Sequence, residues 1–102
     1  MPDRVLNQFN IQGGTYYDGK GHPLGPCACT LTNERMIIKD SRGGTQQILL
    51  RDITTIKPHL GIVNKSLDLT MGQFAAIHIY GKKAELLEIS DMLNDAIASQ
   101  LS

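Results

Sequence analysis

The order of apolar and polar residues divides this chain into two parts near residue 81. Before that point apolar side chains tend to alternate with polar ones, which is the period of a β-strand with one buried face. After it they recur at intervals of three and four residues, which is the period of an amphipathic helix. The pattern predicts a series of short strands followed by one C-terminal helix over about residues 82–101.

Seven segments before residue 81 have strand character, and turn-forming residues separate most of them. They are VLNQFNIQ, CACTLT, RMIIKD, TQQILL, RDITTIKPH, LDLTM and AAIHIY. Asn33 in TNER and the two glycines of SRGG favour tight hairpin turns. Residues 13–26 contain five glycines and two prolines, so they have the strongest loop character. We therefore predict six or seven antiparallel strands and a long loop near the N terminus.

One face of each predicted element supplies the core. In the first strand this face carries Val5, Phe9 and Ile11. In the later elements it carries Cys27, Cys29 and Leu31; Leu67, Leu69 and Met71; Ala75, Ile77 and Ile79; and, along the helix, Leu86, Ile89, Leu93, Ala96, Ile97 and Leu101. Leu87 and Met92 lie beside the helix stripe, where they either widen the buried face or meet a partner.

Size and charge restrict the class of protein. The 102 residues suit a single domain over residues 1–102 that can bury its own core. Ten Lys plus Arg balance ten Asp plus Glu, which argues against a generic nucleic-acid binder. No apolar run approaches the roughly 18 residues that a membrane span needs, and we expect a cytoplasmic protein without a transmembrane segment.

The cysteines and histidines do not form a recognisable reactive or metal-binding motif. Cys27 and Cys29 are too few for a secreted disulfide framework, and we expect free thiols that act as small apolar side chains. With His22 they lack a fourth metal ligand and the usual C-x2-C spacing. A Cys nucleophile would need a base among His22, His59 and His78 that only the fold could place beside it. We predict no metal, no cofactor and no enzymatic activity.

The segment TLTNERMIIKD, followed by QQILLRDITTIKP, LDLTM, AAIHIY and the helix, resembles the GRAM and bacterial pleckstrin-homology-like family. Its LTN-K/R-R-L-I-F type of hairpin is matched by Leu31, Thr32, Asn33, Arg35, Met36 and Ile37. Its I-P-L-x-D-I-x-x-I type of segment is matched by Ile48, Leu50, Asp52, Ile53 and Ile56. The resemblance covers roughly residues 27–100. It implies a mainly β fold, a pleckstrin-homology-like barrel of two antiparallel sheets capped by one C-terminal helix.

The polar residues of the first motif have two interpretations. Thr32, Asn33 and Arg35 could bind a ligand, or they could form the corner of a hairpin. The second interpretation is favoured, because Thr and Asn side chains readily hydrogen-bond the backbone at turns. For the same reason Asp52 is expected in a turn or bonded to the backbone.

The resemblance implies a protein-interaction or assembly module, with self-association or a protein partner. A barrel of two incompletely closed sheets has exposed strand edges that can pair with another chain. We predict such edges at Val5–Gln12 and at Ser66–Met71, the second guarded only by Lys65 and Asp68.

The alternative function is binding of an acidic phospholipid headgroup at a membrane surface. The candidate ligand-binding residues are Lys20, His22, Lys39 and Arg42. Several of these cations would have to converge on one phosphate group, because a single surface cation contributes little.

Overall fold

The computed structural model describes residues 3–41, 43–63 and 65–101, with Leu101 described by its backbone alone. Over these residues the elements are β1 (Val5–Ile11), β2 (Gly13–Asp18), β3 (Gly21–Leu24), β4 (Cys27–Thr32), β5 (Arg35–Asp40), β6 (Thr45–Leu49), β7 (Ile53–Leu60), β8 (Lys65–Met71), β9 (Ala75–Tyr80) and α1 (Lys83–Leu101). A 3-10 turn, Leu50–Asp52, joins β6 to β7. The described chain therefore has nine strands, more than the six or seven predicted.

The strands form two sheets. The first has the order β1-β4-β5-β6 and the second has the order β3-β2-β9-β8-β7. Every pairing is antiparallel, as the sequence predicted. Residues 5–32 form one long bent hairpin, the N-terminal hairpin, whose first arm is β1 followed by β2 and whose second arm is β3 followed by β4. It takes part in both sheets, because β1 pairs with β4 in the first sheet and β2 pairs with β3 in the second. This hairpin joins the two layers around one core.

The prediction of a long loop at residues 13–26 is wrong, since this stretch contains β2 and β3. Gly14 is buried, and a Cβ atom there would collide with the carbonyl oxygen of His78 on β9. Gly19 has a φ of 98°, which the turn between the two strands requires. These glycines permit close strand packing and a tight turn, whereas composition alone suggested irregular structure.

The core lies between the two sheets and the helix. Its buried side chains include all the inward positions predicted on β4, β8 and α1 except Ile97, which is partly buried, and Leu101, whose side chain lies outside the described set. Met92 packs partly against this core, and Leu87 is exposed. The helix stripe is thus a packing surface, as its spacing predicted.

The first strand departs from its predicted alternation. Val5 is 56% exposed, and Leu6 packs against the core instead. A register shift between Val5 and Asn7 in the pairing with β4 causes this change, because a bulge reverses the face that each preceding side chain occupies. Phe9 and Ile11, beyond the bulge, face the core as predicted.

Only one of the two predicted sheet edges is correct. β1 lies at the edge of the first sheet, but Ser66–Met71 belongs to β8, which pairs with β7 on one side and β9 on the other. The edges of the second sheet are β3 and β7 instead. Asp68 therefore does not guard an edge, and its role lies within the sheet.

No helix in the described part of the chain is both long enough and apolar enough to cross a bilayer. The helix α1 covers 19 residues, but its charged positions recur along the exposed face. Its length serves packing, because the apolar stripe runs from Leu86 to Ala96 against the sheets.

Both cysteines are buried free thiols on the inward face of β4. Burial, with a smaller effect from the neighbouring Cys27, raises the pKa of Cys29 to about 12. Burial and the nearby Asp40 carboxylate also raise the pKa of Cys27, whose Sγ lies 3.1 Å from the carbonyl oxygen of Gly25. These are the properties of packed core thiols and not of nucleophiles.

We expect native protein to react with a thiol reagent far more slowly than unfolded protein, because only a thiolate attacks and both thiolates are disfavoured. In a titration with Ellman's reagent at pH 8, both thiols should react promptly only after denaturant is added. Fast modification of native protein would contradict the packed-thiol interpretation.

The raised pKa of Cys29 also predicts that the free energy of unfolding is unaffected by this thiol below pH 9, the ordinary thiol value, and falls as pH rises from 9 towards about 12.

Leu93→Asp should unfold the domain, because the fully buried Leu93 lies at the centre of the helix stripe and a carboxylate there would have no partner. We expect the free energy of unfolding to fall by roughly 4 kcal/mol or more, and the total for a small domain is only about 5–15 kcal/mol. Leu87→Asp is the matched control, since it places the same charge on the exposed face of the same helix. Urea denaturation of both variants measures the difference, and a Leu93→Asp variant within about 1 kcal/mol of wild type would show that the stripe is not core.

Candidate functional site

The first motif of the sequence forms the corner of the β4–β5 hairpin. Thr32 is buried, and its Oγ1 accepts hydrogen bonds from the backbone N–H groups of Glu34 and Arg35, at 3.2 and 3.0 Å. The Asn33 side-chain oxygen accepts from the backbone N–H of Arg4, and the Asn33 N–H donates to the Arg4 carbonyl at 3.0 Å. Both polar side chains are therefore occupied by the backbone, as the hairpin interpretation predicted.

Arg35 is also held by neighbouring structure. Its Nε lies 2.7 Å from Asp3 Oδ2 in an ion pair without hydrogen-bond geometry, and its Nη1 donates to Gln47 Oε1 at 3.1 Å. The helix meets this corner where Gln100 donates a side-chain hydrogen bond to the Asn33 carbonyl at 3.1 Å. The corner thus connects the N terminus, β6 and the end of α1, which is a structural role.

The candidate lipid-binding cations occupy separate places. Lys20 is exposed in the β2–β3 turn, and Lys39 is exposed on β5 opposite Ala28. The ring of His22 is 2.8 Å from Asp18, and this hydrogen bond lowers the pKa of the Asp18 carboxyl. Arg42 lies outside the described residues. No contact in the described chain brings these cations together on one site.

A cavity of about 400 Å³ lies beside the β5–β6 turn, the place where the lipid hypothesis expects a binding site. It is lined by Pro23, Leu24, Gly25, Pro26, Asp40 and Ser41. The ionisable side chain in this lining is a carboxylate. Asp40 also accepts a hydrogen bond at 2.9 Å from the backbone N–H of Gly44, as expected for the predicted hairpin turn. The cavity is poorly suited to an anionic headgroup.

A polar ladder crosses the outer face of the second sheet. Asp68 on β8 lies 2.9 Å from the ring nitrogens of both His59 on β7 and His78 on β9. Ser66 donates to the same carboxylate at 3.0 Å, and the Tyr17 ring meets the His78 ring edge to face at 5.2 Å. No group of three or more metal-ligating side chains in the described residues is arranged to hold a metal ion. The ladder satisfies its own members across neighbouring strands.

A groove of about 630 Å³ lies between β1 and α1, and we call it the β1–α1 groove. Its apolar floor is formed by Phe9, Ile11, Ile89 and Met92. Phe9 and Ile11 are two residues apart and pair with the buried Cys29 and Cys27, so both face inward. The groove exists because α1 packs most closely against β7, β8 and the 3-10 turn, which leaves space on its other side.

The sides of the groove differ in chemistry. On the strand side they carry uncharged amide side chains, those of Asn7, Gln8, Asn10 and Gln12. On the helix side they carry the carboxylates Glu85 and Glu88. Neither glutamate makes an ion pair or hydrogen bond with any residue that the structure describes. Together they form an acidic wall beside an apolar floor.

β1 presents a free backbone edge to this groove. In the described chain it pairs with β4 alone, and residues 5–12 contain neither a charged residue nor a proline. Charge, proline or a covering element normally protects such an edge. The sequence pattern predicted this edge correctly. It gave no sign of the acidic wall, because the distance between β1 and the helix depends on the order of strands in both sheets.

Comparison with known proteins agrees with this architecture. The structure is similar to that of the "Vps36 N-terminal PH domain", with a TM-score of 0.75 over 97% of this chain and 82% of that chain, at 15% sequence identity. No protein-family model matches the sequence, and no curated protein matches it. At this identity the similarity shows the fold alone. The chain has a pleckstrin-homology-like fold: two antiparallel sheets and one C-terminal helix.

Proposed function

We propose that this protein is a non-enzymatic interaction module that binds an extended segment of a partner protein by adding it as a strand to β1. The free edge of β1 beside the β1–α1 groove carries the proposal. The pleckstrin-homology-like fold supports an interaction module. Binding by strand addition uses backbone hydrogen bonds for affinity and pockets for side-chain selection.

The groove fits a partner strand with alternating side chains. A segment paired with β1 would direct every second side chain to the same face of the extended sheet. On the inner face those side chains would meet Phe9, Ile11 and Met92, which favours apolar residues at these positions. The amides of Asn7 and Gln8 can accept and donate hydrogen bonds at the rim.

The acidic wall favours a partner segment that also carries Lys or Arg. Glu85 and Glu88 have no cationic partner in the described chain, so a basic side chain in the groove would gain an ion pair without breaking one. A second copy of this chain fits less well. Pairing of two β1 strands about a two-fold axis would place the two acidic walls opposite each other.

The acidic-lipid alternative has weaker support. The described cations of that hypothesis occupy separate elements, and the cavity at the β5–β6 turn contains the Asp40 carboxylate. Phosphate recognition instead requires several donors directed at one group. The β1–α1 groove combines a free edge, an apolar floor and unpaired charges, so it is the better binding site.

Selection from a library of displayed nine-residue peptides tests this function directly. We expect the selected sequences to carry apolar residues at inward positions, with Lys or Arg at another inward position from which it can reach Glu85 and Glu88. Methylation of peptide backbone nitrogens should abolish binding at alternate positions only, because just every second N–H of an added strand faces β1. Binding that tolerates methylation at every position would contradict strand addition.

Sedimentation velocity over a hundredfold concentration range would identify a second copy as the partner if a dimer forms and the selected peptide dissociates it.

Reversal of the charge of the acidic wall should lower the affinity for a selected basic peptide by roughly tenfold, equivalent to about 1.4 kcal/mol. The double variant Glu85→Lys/Glu88→Lys removes the attraction and adds repulsion. Asp91→Lys/Asp95→Lys is the matched control, since it makes the same change of net charge on the same helix outside the groove and should alter affinity by less than about twofold at physiological salt. Fluorescence polarisation with labelled peptide measures both. Equal effects of the two changes would show that only net charge matters.

A further inference from the structure

The turn between β7 and β8 exposes two large aliphatic side chains. Ile62 is 98% exposed and Val63 is 88% exposed, the two highest values among the large hydrophobic residues of the described chain. Leu60 at the end of β7 and Tyr80 at the end of β9 are also partly exposed at this end of the sheet. Such apolar exposure is unfavourable in water unless another phase or molecule covers it.

Lysines lie beside this apolar turn. Val63, Lys65, Tyr80 and Lys82 line one surface depression of about 730 Å³, together with Gln12, Ser66 and Gly81. Lys83 follows at the first position of α1. The depression has no acidic residue in its lining. The Glu85 carboxylate approaches Gly81 from the side of the groove, but three lysines against this one carboxylate still leave a local excess of positive charge beside the most exposed apolar turn.

We propose that this end of the second sheet, the β7–β8 tip, docks on the surface of an anionic membrane. The tip consists of Leu60, Ile62, Val63, Lys65, Tyr80, Lys82 and Lys83. Ile62 and Val63 enter the boundary of the acyl chains, while the lysine ammonium groups contact lipid phosphates and carboxylates. This site adjoins the proposed peptide groove at Gln12, and it is separate from the cations Lys20 and Lys39.

The arrangement of the tip favours a membrane over a protein pocket. Ile62 and Val63 lie in the turn itself, and Tyr80 lies at the adjoining end of β9, where it pairs with Ser66. Lys65 and Lys82 line the same depression as Val63 and Tyr80. This order matches the layers of a membrane interface, where aliphatic groups reach the acyl boundary, tyrosine rings lie at headgroup level and lysines extend to the phosphates. The tip is a projecting turn, so it can enter a soft interface without a preformed cavity in the partner.

The chain supplies its own matched control at the opposite end of the same sheet. Phe74 in the β8–β9 turn is 80% exposed, and β8 separates the two turns by about 20 Å. The neighbouring Ala75 pairs with Asp18 at the end of β2, so one carboxylate and the single Lys20 of the β2–β3 turn accompany this second apolar side chain, in place of three lysines. If exposure alone caused membrane binding, the two turns would behave alike. The proposal requires that only the lysine-flanked turn binds.

The chain contains no tryptophan, which allows a single reporter to be placed at either turn. Ile62→Trp and Phe74→Trp are mixed separately with vesicles of one part phosphatidylserine to two parts phosphatidylcholine, and with phosphatidylcholine vesicles alone. We expect the Ile62→Trp emission to shift to the blue and to be quenched by lipids brominated on the acyl chain, with phosphatidylserine present. The Phe74→Trp emission should stay unchanged.

Co-sedimentation with the same vesicles gives the second measurement. Ile62→Asp/Val63→Asp and Lys65→Glu/Lys82→Glu should each lower the partition coefficient by about tenfold or more, since the first removes apolar insertion and the second removes attraction to the anionic lipids. Phe74→Asp and Lys20→Glu/Lys39→Glu should change it by less than about twofold at physiological salt. All substituted positions except the intermediate Lys65 are exposed, and circular dichroism checks that each variant is folded.

Three results would overturn the proposal. Wild-type protein could fail to bind vesicles that contain phosphatidylserine at low salt. Phe74→Asp could reduce binding as much as the tip variants, which would indicate a general apolar effect. Vesicle binding could be lost in the Lys20→Glu/Lys39→Glu variant alone, which would assign membrane binding to Lys20 and Lys39 and not to the tip. None of these results bears on peptide binding in the β1–α1 groove, so the two proposals fail independently.

Discussion

The contact on which the architecture depends is the close approach of Gly14 to the backbone of His78. A side chain at residue 14 would collide with the His78 carbonyl oxygen, so glycine is what allows β2 to pair with β9. That pairing anchors the second half of the N-terminal hairpin in the second sheet, while β1 and β4 remain in the first. One hairpin therefore fixes how the two layers face each other. It also leaves β1 at the edge of the first sheet.

The position of the helix follows from this geometry. The two sheets are joined through the N-terminal hairpin, and α1 lies between the edge strand β1 of the first sheet and the edge strand β7 of the second, where it covers the core. Leu86 and Leu93 are fully buried in that core, and the helix lies closest to β7 and β8. Closer packing on both sides would require a wider apolar stripe, but Glu85 and Glu88 occupy the side towards β1. The groove is a consequence of this polar boundary.

Features that depend on local sequence could be predicted, and features that depend on strand order could not. The helix stripe and both hairpin turns follow from spacing and from turn-forming residues such as Asn33, and the structure confirms them. The loop predicted at residues 13–26 was wrong because a high glycine content does not distinguish glycines that allow close strand packing from glycines in a loop. The edge predicted at Ser66–Met71 was wrong because alternation shows that a strand has a buried face but not which strands lie beside it.

The same limit applies to the surface. An isoleucine followed by a valine favours a buried strand by composition, yet Ile62 and Val63 lie in a turn where no other element reaches them. Gln12 lines both the β1–α1 groove and the depression at the β7–β8 tip, so the two proposed surfaces adjoin. Their charges are opposite, with Glu85 and Glu88 on one and Lys82 on the other. The adjacent surfaces therefore select ligands of opposite charge, a basic segment at the acidic wall and an anionic surface at the lysines.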